Sequence, residues 1–531
     1  MKMKLCVLSV AGAMAFTGFS AFGAEKVSVA PGGGDDWQAI TDAIANAEEQ
    51  AVVELGAGEF VLTNELVVNR AVTLRGAGSG VTTLRHDTAA PASRVLSVSN
   101  GATVERLTVT GGLSWGSVPG SGVSVGMQSV LQDCEITGNR PSGWSGQNKG
   151  GGVYVNGGKV LRCVFHGNGV VDNNAYVSAS SLYIDGGGIA DSCLFYGDYA
   201  SFQPQDNNTA FGVVCVNSGV LRASTVVGNF SAGYPAVYLT GSSSSSSCKV
   251  LDCIVVANTY GAAWTQGGDS AIGWPSGMEQ SVASNLTGED AGLVDAFGGD
   301  YRLTCASKAI DAAAYGDDSQ AMTAFDVTGT AARKIGVAQD VGAYEFDPGA
   351  DPDVDFYAPG VRQVLVGKPV AFVGGAVNAG ESPEYVWNFG DGSELTTVER
   401  DVTHVYSAPG TYTVTIRVSG MTLSKTRADY VTIMPKDIYV DPSLQRRPCR
   451  TARGARRRTT SRTPSPSHPR GRPSGLGPVC GITRSRRRGW LSTVPLSCAE
   501  RPAIPPMSRL QMIRRQQAYS GSIMPTRSWP T

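Results

Sequence analysis

The sequence predicts an all-β protein, a parallel β-helix followed by a small β-sandwich, and three observations carry that prediction. The first is a phrase that recurs five times between Ser129 and Asn258, stated in full by Val130-Leu131-Gln132-Asp133-Cys134-Glu135-Ile136-Thr137-Gly138-Asn139. Its copies centre on Cys134, Cys163, Cys193, Ser224 and Cys253, spaced 29, 30, 31 and 29 residues apart, and each ends in a small residue followed by Asn or Asp. The second is a short alternating strand in each copy: Val123-Ser124-Val125, Val153-Tyr154-Val155, Leu182-Tyr183-Ile184, Val214-Cys215-Val216 and Val237-Tyr238-Leu239. Two short strands per repeat, joined by Gly-rich turns without helical periodicity, describe coils stacked about 4.8 Å apart. The third is a change of grammar after residue 356, where alternating strands and an Asp391-Gly392 turn fit a sandwich.

The elements follow in order. Residues 1–23 combine Lys2, Lys4, an apolar run from Leu5 to Phe16 and a small-x-small site at Ala21-Phe22-Gly23, which reads as a secretory signal and places the protein outside the cell or on its surface. Asp35-Asp36 precede Trp37, Ile40, Ala43, Ile44 and Ala47, the spacing of one amphipathic helix that plugs the open end of the coil stack. The β-helix extends over residues 24–346. It closes on Ser307-Lys308-Ala309-Ile310-Asp311 and Asp340-Val341-Gly342-Ala343-Tyr344-Glu345. This ending resembles that of bacterial right-handed parallel β-helix repeat proteins of the pectin-lyase-like superfamily. Residues 347–356 form an acidic linker bearing Pro and Gly.

Residues 357–435 carry Trp387-Asn388-Phe389-Gly390-Asp391-Gly392 and Pro409-Gly410-Thr411-Tyr412-Thr413-Val414. These motifs resemble those of a PKD domain, an Ig-like module. The resemblance implies an accessory spacer or a module for protein and carbohydrate contact, with Trp387, Phe389, Tyr406 and Tyr412 in its core. Residues 436–531 break the pattern: from Gln445 onward there are 19 Arg, one acid and no Lys. We read that tail as disordered or as translation in a shifted frame, a polyanion-binding tail being the alternative.

Composition narrows the function. The chain is 42% hydrophobic and 17% charged, with 67 Gly, as suits a turn-dense β protein. The overall net charge of −1 hides 25 basic against 44 acidic residues in positions 1–444, a net of −19, which argues against nucleic acid as partner. Nothing beyond the signal is apolar enough to span a membrane. The Cys ladder reads as small buried thiols, a disulfide between adjacent rungs being the alternative.

Two sets of residues carry the candidate chemistry. Arg106, Asp133, Arg162, Asp191, Arg222 and Asp252 stand one or two positions ahead of the ladder residue, alternating in sign from coil to coil. They form either a salt ladder or, by resemblance to the polysaccharide lyases of the superfamily, a site in which Asp133, Asp191 and Asp252 hold Ca²⁺ and Arg162 or Arg222 abstracts a proton. Tyr154, Tyr183 and Tyr238 alternate with inward-facing residues and point outward, as a sugar-binding row or as side chains buried under the loops. Other motifs are weak: Gly122-Val123-Ser124-Val125-Gly126 lies in a strand without a following helix, and the four His residues lack zinc spacing. The first expectation is therefore a secreted or cell-surface protein that binds a polysaccharide, a cell-surface glycan or another surface protein. The second is a Ca²⁺-dependent polysaccharide lyase acting on acidic glycans.

Overall fold

The computed structural model describes residues 26–436 except 115–117, 142–148, 171–177, 201–211, 232–234, 241–247, 261–270, 274–281, 289–290, 297, 315–322 and 361. Residues 1–23, read as a signal, and the Arg-rich tail lie outside the described residues. Helix α1 (Trp37–Asn46) buries Ile40 and Ile44 against the first coils. Asp36 precedes it and spends its carboxylate on Gly32 N at 2.6 Å and Val61 N at 3.0 Å, tying the helix start to a strand. The Trp37 indole donates to Glu65 O at 2.9 Å.

Parallel sheets then stack coil upon coil. The first has 10 strands and begins with Lys26–Val29 and Val52–Leu55; the second has 9, from Gly58–Leu62 to Leu286–Gly288; the third has 8, from Leu66–Val68 to Ile272–Gly273. A fourth sheet of 4 short strands contains Tyr199–Ala200 and Phe230–Ser231. The repeated phrase, which reads as one strand, is two: Val130–Gln132 belongs to the first sheet and Glu135–Thr137 to the second. The chain turns between them because the residue before each Cys is left-handed: Arg106, Asp133, Arg162, Ser192, Ala223 and Asp252 have φ of 59°, 53°, 52°, 55°, 46° and 52°. Six stacked non-glycine residues in that region make a sharp corner repeated along the axis.

The ladder residue stabilises this corner. The Cys134, Cys163, Cys193 and Cys253 thiols lie 3.1, 3.4, 3.4 and 3.1 Å from the carbonyl two residues back, and the Ser224 hydroxyl makes the same bond at 2.7 Å. A short side chain with a hydrogen to donate adds a second bond to a carbonyl that also accepts a backbone N–H from the neighbouring coil. This accounts for Ser replacing Cys in one coil. All seven cysteines of the described residues are free and buried, and burial pushes the Cys163 and Cys193 thiols well above the usual range. Thiol labelling is therefore expected to leave these seven cysteines unmodified in the folded protein and to reach them together on unfolding. Rapid native labelling of any ladder cysteine, located by peptide mass, would contradict the packing.

Next to the corner, Ile136, Phe165, Phe195, Val226 and Val255 pair in register and fill the interior, with Phe165 and Phe195 stacked at 4.5 Å. Each such fully buried side chain contributes about 1.5–3 kcal/mol. At the far end of the phrase a second ladder closes the turn. Asn139 N donates to Asn168 Oδ1, Asn168 N to Asp198 Oδ1, Asp198 N to Asn229 Oδ1 and Asn229 N to Asn258 Oδ1, at 2.8–3.2 Å.

After the last coil the chain returns over the outer face of the second sheet. Leu293, Tyr301, Ala309, Val327, Val341 and Ala343 pack on Leu194, Val227, Ile254 and Val256. Gly342, at φ +100°, brings its backbone so close that a Cβ there would stand 2.7 Å from Ile254 Cδ1. Arg333 anchors this closing segment: its guanidinium donates to Glu345 Oε1 at 2.5 Å, Asp340 O at 3.1 Å and Gly342 O at 2.7 Å.

The sandwich begins inside the acidic stretch read as linker. Asp353–Tyr357 pairs antiparallel with Pro369–Val377 because its alternate residues Val354 and Phe356 belong to the core. Three strands face five around Trp387, Phe372, Phe389 and Tyr406, while Tyr412 is partly buried at the edge. His404 stacks on Phe389 at 4.0 Å and meets Asp391 at 2.8 Å. Arg400 donates to Ala306 O at 2.9 Å, Cys305 Sγ to Gly375 O at 3.4 Å, and Lys308 pairs with Asp401 at 2.9 Å. The sandwich is thus seated on the closing segment.

Candidate functional site

The alternating charges occupy two registers, and four of them pair with each other, while Arg106 donates to Ala77 O at 3.2 Å. Asp133 receives both Arg162 Nε at 2.7 Å and Nη2 at 2.8 Å, while Arg162 Nη1 donates to Thr323 of the closing segment at 2.6 Å. Asp191 accepts from Arg222 at 2.8 Å and from Ser192 at 3.0 Å, and both charged residues are buried. Asp252, also buried, accepts Ala314 N at 3.0 Å. A Ca²⁺ site needs several oxygens converging on one point. These carboxylates are two coils apart, about 10 Å, with oxygens committed to Arg, Ser and backbone donors, so they do not fit that ion. Among the described residues no group of three or more His, Cys, Asp or Glu side chains is arranged to hold a metal. The Asp133 hydrogen bond raises the Arg162 pKa above its ordinary value, the opposite of what a proton-abstracting base requires.

The tyrosine row fares differently from member to member. Tyr183 is 5% exposed and packs with Ala179 and Cys215. Tyr154 is half-buried, with its ring 6.0 Å from that of Tyr183, and the Lys149 ammonium lies 6.0 and 5.0 Å from the two ring centres. The hydroxyl of Tyr154 reaches Asp185 at 3.4 Å. Asp185 also accepts Lys149 at 3.2 Å, Asn217 at 3.0 Å and Gly186 N at 3.0 Å. Burial and Asp185 push the Tyr154 hydroxyl up to about 12. Tyr238 occupies the same register beyond Cys215 and is half-buried. Lys149 covers the first two rings, so they offer no bare aromatic face.

A different row is open over part of its length. In the second sheet, Thr83, Thr108, Glu135, Val164, Leu194 and Thr225 form one outward ladder, and Arg85, Thr110, Thr137, His166, Tyr196 and Val227 form the other. Glu59 pairs with Arg85 at 2.5 Å. Glu135 meets His166 Nε2 at 2.7 Å and accepts the Thr108 hydroxyl at 2.7 Å, while Thr137 Oγ1 lies 3.2 Å from His166 Nδ1. The His166 hydrogen bond, outweighing burial, holds the Glu135 carboxyl below its usual range. Tyr196 stacks on His166 at 5.0 Å and touches Tyr301 at 5.1 Å, and burial pushes its hydroxyl up to about 12. Beside this row the fourth sheet presents Tyr199 and Phe230, paired across neighbouring coils, with Phe230 40% exposed.

Sequence reasoning passed over Glu135, His166 and Tyr196, although the signal was present. The outward positions of successive copies run Glu135/Thr137, Val164/His166, Leu194/Tyr196, Thr225/Val227 and then turn wholly apolar at Ile254/Val256. A strand apolar on both faces is covered on both; of the copies before it, Glu135, Thr137 and His166 stay accessible, while Leu194 and Thr225 are already covered.

Comparison with known proteins divides the chain. Residues 350–433 match the PKD domain family. No curated protein matches the chain. Among solved structures, the A-module of the mannuronan C-5 epimerase AlgE4 of Azotobacter vinelandii is 14% identical, with 48% of this chain and 93% of that chain covered and a TM-score of 0.19. The surface adhesin PfbA of Streptococcus pneumoniae is 9% identical, with 50% and 80% covered and a TM-score of 0.21. The chain is a parallel β-helix protein whose residues 350–433 are a PKD domain.

Proposed function

We propose that this is an exported glycan-binding protein that holds a neutral polysaccharide against the outer face of its second sheet, with the PKD domain as a seated accessory module. One observation carries the reading: the accessible part of that face is a row of hydroxyls, paired ions and one stacked aromatic, from Glu59 and Arg85 through Thr110 and Thr137 to His166 and Tyr196, with Thr108 buried and bonded to Glu135. Hydroxyl, carboxylate and imidazole groups at strand spacing match the dense donors and acceptors of a sugar, and a tyrosine supplies an apolar face with a polar tip. Arg85 stands against Glu59 and His166 against Glu135, so no unpaired cationic patch is offered to a uronate or phosphate. The net charge of −19 over residues 1–444 repels polyanions besides.

Affinity electrophoresis of the full chain through glucan, mannan, xylan and polyuronate gels tests this. At least one neutral polymer is expected to retard the protein and polyuronate to retard it less. Tyr196→Ala is expected to weaken retention about tenfold, or about 1.4 kcal/mol, while Tyr238→Ala leaves it unchanged. Retention by polyuronate alone would sink the proposal. One feature favours a second reading, a carbohydrate-active enzyme: the half-buried Glu135–His166 contact is a general acid–base arrangement. Product chromatography on the retained polymer, lost in His166→Gln, would move that reading ahead.

A further inference from the structure

We infer that the row receives the end of a glycan chain, an inference that rests on the glycan-binding reading above. The row is open at one end and walled at the other. Its first strands are the most exposed, with the Glu59 side chain at 50% and Arg85 at 32%; Glu135 and His166 further along are 27% and 26% exposed, and Thr108 between them is buried. In the next coils the outward residues are covered: Leu194, Thr225 and Ile254 are 3%, 1% and 1% exposed. The cover is the closing segment. Tyr301 stands against Tyr196, Ala343 N donates to Thr225 Oγ1 at 2.9 Å, Gly342 N donates to Asp252 O at 2.9 Å, and the Gly342 backbone lies on Ile254.

This wall does not swing aside cheaply. The buried Arg333–Glu345 pair and four apolar residues of the sheet hold it down. The open part spans six strands, from Gly58–Leu62 to Leu194–Tyr196, about 24 Å at the spacing of stacked strands. A chain lying along the coil axis enters over Glu59 and Arg85 and stops where Tyr196 and Tyr301 block its path. Its last ring then rests beside His166 and Tyr196, the polar groups next to the wall. An internal stretch of polymer has no exit in that direction, so only a chain end fits lengthwise.

Calorimetric titration of the full chain with length-defined cello-, manno-, xylo- and malto-oligosaccharides, and with the parent polymer of whichever series binds, tests the inference. The expected result is one protein per chain at every length, with molar affinity rising until the oligomer fills the row and constant afterwards. Proteins bound per chain increasing in proportion to polymer length would mean that the chain crosses the row sideways. That result would overturn end recognition and leave glycan binding standing. Failure of every series and its polymer to bind would overturn both.

Discussion

Replacing Arg333 by Ala is expected to cost about 3–5 kcal/mol of stability, the usual consequence of removing one partner from a buried ion pair. The side chains of Arg333 and Glu345 are 4% and 1% exposed, and the guanidinium also satisfies the Asp340 and Gly342 carbonyls. Burial pushes the Glu345 carboxyl up and the Arg333 charge beside it pulls it back, so the carboxylate depends on that guanidinium. Without Arg333, that carboxyl keeps only the Asp340 N–H at 3.0 Å and two carbonyls lose their donor in a buried site. Because the segment covers Val227, Ile254 and Val256, its loosening would expose the apolar face beneath. Denaturant titration checks the cost, and Arg333→Met/Glu345→Leu, which removes both charges together, should recover part of it. An Arg333→Ala variant as stable as the parent would mean that the segment is not anchored there.

Asp198→Asn is expected to act in the opposite direction, and only above mildly acid pH. Asp198 stands in a ladder otherwise made of Asn. Asn168 Nδ2 donates to Ile136 O at 2.8 Å and Asn229 Nδ2 to Phe195 O at 3.0 Å, whereas Asp198 Oδ2 has no partner. Burial pushes its carboxyl from 3.8 up to about 7, against the Ser181 and Asn168 hydrogen bonds that lower it. Between those two values the folded chain holds a proton that the unfolded chain releases. Stability is therefore highest below about pH 4, falls as pH rises towards 7, and stays low above it. Asn carries no charge and supplies the missing donor. With each pKa unit worth about 1.4 kcal/mol, the variant should gain roughly 2–4 kcal/mol at pH 8 and almost nothing at pH 4. Equal gains at both pH values would show that Asp198 does not titrate in the fold.

The sequence made the architecture legible because its repeat is local: thirty residues contain the corner, the thiol that bonds to it, the inward apolar residue and the closing Asn. The helix before the first coil and the sandwich after the last were equally legible from spacing and motif. What the repeat does not state is which outer face stays open. Arg162 is half-covered because Thr323, 161 residues later, is laid over it. Likewise the outward positions of the second sheet are open at Thr137 and His166 and closed at Val227 by residues far along the chain. Tyr154, Tyr183 and Tyr238 alternate with the inward residues, but the burial of Tyr183 and the Lys149 ammonium near Tyr154 and Tyr183 come from residues outside the repeat, where periodicity gives no guidance. The charges beside the Cys ladder attracted attention for their alternation; that alternation is what pairs Asp133 with Arg162 and Asp191 with Arg222.

The most direct test of the central claim is hydroxyl-radical footprinting of the protein with and without the neutral glycan that retains it. Saturating glycan is predicted to protect Tyr196 and His166 while leaving Tyr154 and Tyr238 unchanged. Protection of Tyr154 and Tyr238 with Tyr196 unaffected would place the ligand on the third sheet and contradict the account.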